Sequence, residues 1–321
     1  MTALLTADPS FAPADVQRLS AELISTVSTL FAGRHAQIEV ATACVLAGGH
    51  LLVEDIPGVG KTLLAQALAA GLGGSFARVQ GTADLLPSDV VGSLTPNSDG
   101  LGLHFRHGPL FANVVLFDEL NRVNTRTQSA LLEVLEEGRV TVDGVSYAVP
   151  SPFMLVATQN PIHMAGTYPL AEGVSDRFMA SISLGRASAD EEVDVLTGRR
   201  GRTRLGEATA ISHVGEVAAA RALVSRAHLH DAVARYAVDI LNATRDHPRV
   251  QLGASTRAGV GMVALAKAFA VMSSRDYVAP HDIARSASAS LAHRLVISGA
   301  DLHAAAEIVA ECVAAVPAPR R

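Results

Sequence analysis

The chain has no tryptophan, and aromatic residues make up only 4% of its 321 positions, so any core must be built from aliphatic side chains and alanine. Cysteine is nearly as scarce. Cys44 and Cys312 lie far apart, each among alanines and valines. Two such residues cannot make a disulfide framework, and they read as small buried apolar groups in a reducing, cytosolic setting. Positive charge is in deficit too, with 26 Lys plus Arg against 31 Asp plus Glu and a formal charge of -5. That balance offers no broad basic field for a phosphate backbone and counts against nucleic acid as the partner. No apolar run reaches the roughly 18 residues of a membrane-spanning helix. The longest, residues 40–53, contains His50 and is bounded by Glu39 and Glu54. The N-terminus lacks a basic region followed by an apolar core, so no signal peptide is expected, and a soluble cytoplasmic protein is.

What is present is apolar content of 49%, enough for two domains of ordinary size. Residues 1–13 are weakly patterned. Val16, Leu19, Leu23, Ile24, Val27 and Leu30 then recur at helical spacing, and a second apolar-rich helix is expected over residues 35–47. A buried strand at 50–54, a glycine-rich turn and an alanine- and leucine-rich helix at 62–72 follow. Further strands are expected at 76–80, 113–117, 153–158 and 179–184. Unbroken runs such as Val114-Val115-Leu116-Phe117 suit strands covered on both faces, hence an α/β fold with a parallel five-stranded sheet flanked by helices. Two segments interrupt this plan. Residues 96–107 are glycine-containing and of low regularity, whereas residues 138–150 alternate valine with polar residues around Asp143-Gly144, a hairpin signal. Past residue 184 strand signals stop and helical periodicity takes over. The α/β domain therefore spans 14–198, an arginine-rich linker 199–213, and an all-helical domain 214–321.

Four groups of residues carry chemistry. The stretch EDIPGVGKT, residues 54–62, sits between strand and helix as a phosphate loop must, although Asp55 stands where the strict pattern has its first glycine. Gly58 and Gly60 let backbone N–H groups close on a phosphate, Lys61 reaches the terminal phosphates, and the Thr62 hydroxyl suits a Mg²⁺ shell. The plainer alternative is a chance GKT at a helix start. In VVLFDELN, residues 114–121, an apolar strand ends in two acids. Asp118 is placed to hold the metal and Glu119 to polarise a water, an arrangement that favours hydrolysis over a small-molecule kinase. Alone, such a pair reads as exposed acids at a strand end. Asn160 in ATQNP ends another strand and can orient the attacking water, or simply form an Asn-Pro turn. Arg177 and Arg257 lack an obvious carboxylate partner nearby in sequence; each could meet a γ-phosphate or pair with a surface acid such as Asp176. His163, and His228 with His230, lack further ligands at metal spacing and read as surface residues.

Taken together, the chain resembles the AAA+ ATPases and, within them, the MoxR family, over about residues 15–315. The resemblance is carried by EDIPGVGKT, GTADLLPSDVVG (81–92), GPLFANVVLFDELNRV (108–123), TQSALLEVLEEGRVTVDG (127–144), VATQNPIHMAGTYPLAEGVSDRF (156–178) and GASTRA (253–258). It implies an AAA+ core with a C-terminal helical lid, ATP and Mg²⁺ as cofactors, and a nucleotide-binding set of Pro57, Gly58, Val59, Gly60, Lys61, Thr62, Leu63 and Arg257. Asp118 and Glu119 would be the Walker B acids and Asn160 the sensor 1 residue. Arg177 would be the finger entering the next subunit's site, and Arg257 the sensor 2 arginine meeting the nucleotide of its own subunit. Gln80 matches a position that restrains the catalytic glutamate. Residues 96–107 and 138–150 would be the helix 2 insert and the pre-sensor 1 hairpin. Residues 163–165 and 171–175 depart from the family pattern on the approach to Arg177. The family further implies a homo-oligomeric, hexameric ring that remodels a protein partner of von Willebrand factor A type. An ATP-gated scaffold and a nucleic-acid motor are the rival functions.

Overall fold

The computed structural model describes residues 11–31, 34–56, 58–97, 102–160, 170–199, 213–297 and 302–319. Two helices open the chain, α1 (Pro13–Ser28) and α2 (His35–Leu46), and lead into β1 (Leu51–Glu54). The elements α3 (Lys61–Gly71), β2 (Phe76–Gln80), α4 (Pro87–Val91), β3 (Gly92–Pro96), β4 (Leu103–His107) and β5 (Val114–Asp118) follow. Next come α5 (Thr125–Glu137), β6 (Arg139–Val142), β7 (Val145–Ala148), β8 (Met154–Gln159), α6 (Glu172–Ser175), β9 (Ala180–Ile182) and α7 (Ala189–Leu196). The C-terminal part holds α8 (Val214–Arg226), α9 (Asp231–Arg245), β10 (Val250–Leu252), α10 (Thr256–Met272), α11 (Pro280–Leu291), β11 (Val296–Ile297) and α12 (Leu302–Ala315).

Five strands form one sheet in the order β2-β5-β8-β1-β9, and every neighbouring pair is parallel. Side chains alternate across a strand, so each central strand feeds two cores. Val114 and Leu116 of β5, Met154 and Val156 of β8, and Leu51 and Val53 of β1 join the core under α1, α2 and α3. Val115, Phe117, Leu155, Ala157 and Leu52 face the other way, onto α5 and the hairpin base. At the C-terminal edge the strands turn polar together, at Glu54, Gln80, Asp118 and Gln159, which is where an open α/β sheet places its ligand.

The five expected strands and the main helices are present. The hairpin is β6–β7, and its turn residues Asp143 and Gly144 take φ of 50° and 77°, the left-handed pair a two-residue turn requires. Two expectations need correction. Residues 96–107, read as of low regularity, include β4, which pairs antiparallel with β3 as a ribbon. Its strands are short and polar on one face, and Phe105 anchors them by stacking on Tyr147 of β7 with ring centroids 4.3 Å apart. The lid is not wholly helical either, since β10 and β11 pair antiparallel, too briefly to leave a periodic signal. The lid core is otherwise built from α9, α10, α11 and α12, while Val217, Ala220 and Val224 of α8 pack with the first two helices and α10. The expected linker lies outside the described residues from 200 to 212. Both cysteines are buried and free. No helix among the described residues is long and apolar enough to cross a membrane.

His50 stitches the sheet to α5. Its Nδ1 accepts from the Leu155 N–H at 3.1 Å, so Nε2 carries the proton and donates to the Leu135 carbonyl at 3.2 Å. Burial pushes the imidazole down from 6.5 to about 4. The unfolded chain therefore takes up a proton that the folded chain refuses, and stability that is intact above about pH 6.5 is lost as pH falls toward 4, about 3 kcal/mol from this group. Thermal unfolding of wild type and His50→Gln across pH 4–7 should show a shallower acid decline in the variant; equal declines would exclude His50 as the source.

Candidate functional site

The turn after β1 is shaped by glycine. Gly58 and Gly60 have φ of 89° and 100°, in the region that side chains disfavour. A Cβ on Gly58 would meet nothing within 4 Å, whereas one on Gly60 would come 2.8 Å from the Phe31 ring at the end of the α1 segment. The loop is thus open on one side and walled on the other, and α3 begins at Lys61 with its N-terminal N–H groups facing the opening. Pro57 lies outside the described residues; Val59, Thr62 and Leu63 complete the turn and the first helical residues.

Asp55 has a structural use. Its carboxylate accepts from Gly185 N at 2.8 Å, Ser183 Oγ at 3.1 Å and its neighbour Ile56 N at 2.9 Å. These bonds fasten the loop to the segment after β9. Lys61 is buried, and Nζ donates to the carbonyls of Asp55 at 2.5 Å and Gln159 at 3.3 Å and to Asn160 Oδ1 at 3.1 Å. Burial holds the ammonium below its ordinary value, while the carboxylates of Asp55, Asp118, Glu119 and Glu54 act in the opposite sense.

Glu119 stands at the centre. It adopts φ 57°, a left-handed conformation costly for a residue with a side chain and met mainly where the surroundings enforce it. The Thr158 hydroxyl does so, accepting the Glu119 N–H at 2.9 Å while donating to Asp118 Oδ1 at 2.6 Å. Glu119 Oε1 accepts from Asn160 Nδ2 at 3.0 Å, and Oε2 accepts from Gln80 Nε2 at 3.2 Å with Arg122 Nε 3.0 Å away. Asn121 holds the Asn160 carbonyl from behind at 3.0 Å. Gly81 is needed for this approach, since a Cβ there would sit 2.3 Å from the Glu119 carbonyl oxygen. Lys61, Asn160, Glu119 and Gln80 are therefore one hydrogen-bonded chain along the strand ends.

Asp118 Oδ2 also accepts from Arg78 at 2.6 Å. With the Thr62 hydroxyl it supplies hard oxygen donors of the kind Mg²⁺ takes, and the open glycine loop beside them fits a polyphosphate. Arg177 and Arg257 lie elsewhere. Both grip Glu136 at the end of α5, Arg177 Nη2 at 2.9 Å from Oε2 and Arg257 on Oε1. The Arg177 guanidinium, with Arg257 beside it, holds the Glu136 carboxyl below the usual range. Arg257, expected next to the nucleotide of its own subunit, forms no hydrogen bond or ion pair with Lys61, Asp118 or Glu119 among the described residues. His163 lies outside those residues, and His230 caps α9 by accepting from Ala232 N.

Thr158, Asn121, Arg78, Arg122 and Glu136 were not singled out in the sequence. For Thr158 and Asn121 a signal existed, because polar residues beside Asp118 and Asn160 at strand ends must meet across parallel pairing. Nothing local marked Glu136.

A glycine-shaped phosphate loop, an Asp-Glu pair two strands away in a β2-β5-β8-β1-β9 sheet and a helical lid define an AAA+ ATPase. The family model described as ATPase family associated with various cellular activities matches residues 50–180, and that of the AAA lid domain matches 242–312. Chaperone MoxR1 of Mycobacterium tuberculosis is 36% identical over 301 residues, 89% of this chain and 79% of its own. The uncharacterized YeaC of Bacillus subtilis is 39% identical over 283 residues, 88% of each chain. A solved structure assigned as an ATPase, from Cytophaga hutchinsonii, superposes with TM-score 0.84 at 31% identity, covering 96% of this chain and 97% of that one. The chain belongs to the MoxR family of AAA+ ATPases.

Removing the Asp55 fastener should loosen the loop without touching a phosphate contact. Asp55→Ala is expected to lose about 1–3 kcal/mol of stability and to weaken ATP binding, read by thermal unfolding and calorimetric titration. Wild-type values in both would show that the fastener is idle.

Proposed function

We propose that the chain hydrolyses ATP in a Mg²⁺-dependent reaction within a homo-oligomeric ring of about six subunits, and that turnover remodels a protein partner. The observation that carries the hydrolytic reading is the Lys61–Asn160–Glu119–Gln80 chain, which fixes a carboxylate beside the phosphate loop. When bound, the metal ion supplies positive charge to the phosphate oxygens. Lys61 exchanges its backbone carbonyls for the terminal phosphates. Glu119 Oε1 accepts the proton of the attacking water, and Asn160, donor and acceptor in one amide, orients that water. Gln80 keeps the carboxylate from swinging away.

Arg177 is read as the finger of the next subunit's site. Arg257 shares Glu136 with it, which supports reading Arg257 as acting on that side too rather than at its own subunit's nucleotide. Each site is then complete only at an interface, so activity depends on assembly. A chaperone role is favoured by the relative named Chaperone MoxR1. A partner of von Willebrand factor A type and a cytoplasmic location rest on the family resemblance alone.

Glu119→Gln should keep ATP affinity and lose about 10²–10⁴-fold in turnover, the scale of a lost general base. Arg177→Ala should lose about 10³–10⁵-fold with nucleotide affinity intact. Phosphate-release assays with nucleotide titrations check both, and wild-type hydrolysis by Arg177→Ala would sink the trans-finger reading. Partner remodelling that proceeds equally with Glu119→Gln would favour an ATP-gated scaffold instead.

A further inference from the structure

The segment carrying Arg177 is held by the lid as well as by its own domain, in whose core Val174 and Phe178 are buried. Arg294, in the 3-10 turn that follows α11, has a side chain only 5% exposed. Its Nη2 donates to the carbonyl of Asp176 at 2.9 Å and to that of Phe178 at 2.8 Å, the two residues flanking Arg177. Nε of the same guanidinium lies 3.1 Å from Asp176 Oδ1, and Nη1 donates to Ser290 O at 2.6 Å, which ties the group to α11. A planar guanidinium can hold two carbonyls and a carboxylate at fixed angles, which a lysine ammonium cannot.

Other lid residues add to the grip. His293 Nε2 donates to Phe178 O at 3.0 Å, and Ser175 Oγ donates to the His293 carbonyl at 3.2 Å. Ser255 Oγ reaches Asp176 Oδ1 at 3.3 Å. On the outer side, Arg257 of α10 and Arg177 itself meet on Glu136. Backbone on both sides of Arg177 is therefore tied to the lid directly, and the guanidinium tip is tied to it through Glu136 of α5, which Arg257 also holds.

We propose that the lid of each subunit positions that subunit's own finger arginine, with Arg294 and Glu136 as the positioning residues. A shift of the lid relative to the sheet then moves the arginine offered to the neighbouring site, which couples consecutive sites around the assembly. The inference rests on the reading of Arg177 as a trans finger, and the test separates the two.

Arg294→Met alone should bind nucleotide as wild type does and lose about 100-fold in turnover, the cost of a misplaced reacting group. Mixed with Glu119→Gln subunits, which have a dead site but a seated finger, it should recover turnover above the sum of the two separate preparations. Arg177→Ala mixed with Glu119→Gln is the reference. No recovery in that reference mixture overturns the trans-finger reading. Recovery there but not with Arg294→Met, or wild-type turnover by Arg294→Met alone, overturns the positioning role. If Arg294→Met fails to fold, Glu136→Gln at the half-exposed end of the bridge takes its place in the same mixtures, and wild-type turnover or absent recovery there overturns the proposal equally.

Discussion

An ammonium group buried at the mouth of a parallel sheet must find an acceptor for every proton, and Lys61 finds three. Those acceptors come from the loop after β1 and from the end of β8, so satisfying one side chain fixes where two strands stop and where α3 starts. The same acceptors set the resting poise of the site. Two are backbone carbonyls, which phosphate oxygens can replace as partners, and the third is the amide that also holds Glu119. On the proposed reading, a polyphosphate arriving at Lys61 would be felt at the carboxylate through that amide.

Much of this was legible in the chain itself, for identifiable physical reasons. Strands buried on both faces are written as unbroken apolar runs, so β5 and β8 were plain. A left-handed turn needs glycine, so Gly58, Gly60 and the Asp143-Gly144 turn were plain as well. What stayed hidden depends on pairing between distant segments. The β3–β4 ribbon has few apolar residues of its own and is held by Phe105 against Tyr147 and Phe111, a contact no local pattern reports. Thr158 matters because parallel register sets it beside Asp118, and Glu136 because three elements converge on it. Asp55 looked like a missing glycine and is a carboxylate fastener for the loop.

The two ribbons beside the sheet share that aromatic contact, with His107 further stacked on Phe111 at 4.1 Å between centroids. The hairpin ribbon begins three residues after Glu136, at Arg139, and α5 runs unbroken up to that carboxylate. Insert, hairpin and the paired arginines thus form one mechanical sequence rather than separate decorations of the core.

Phe31 gives the phosphate loop a further property. Its ring stands against Gly60, so one wall of the nucleotide cradle is contributed by the segment that precedes the sheet entirely. The segment that follows the N-terminal helix is accordingly part of the cradle. A minimal nucleotide-binding fragment of this protein would have to include Phe31, and a ligand that pries the segment after α1 from α3 would open the cradle from outside without competing for it.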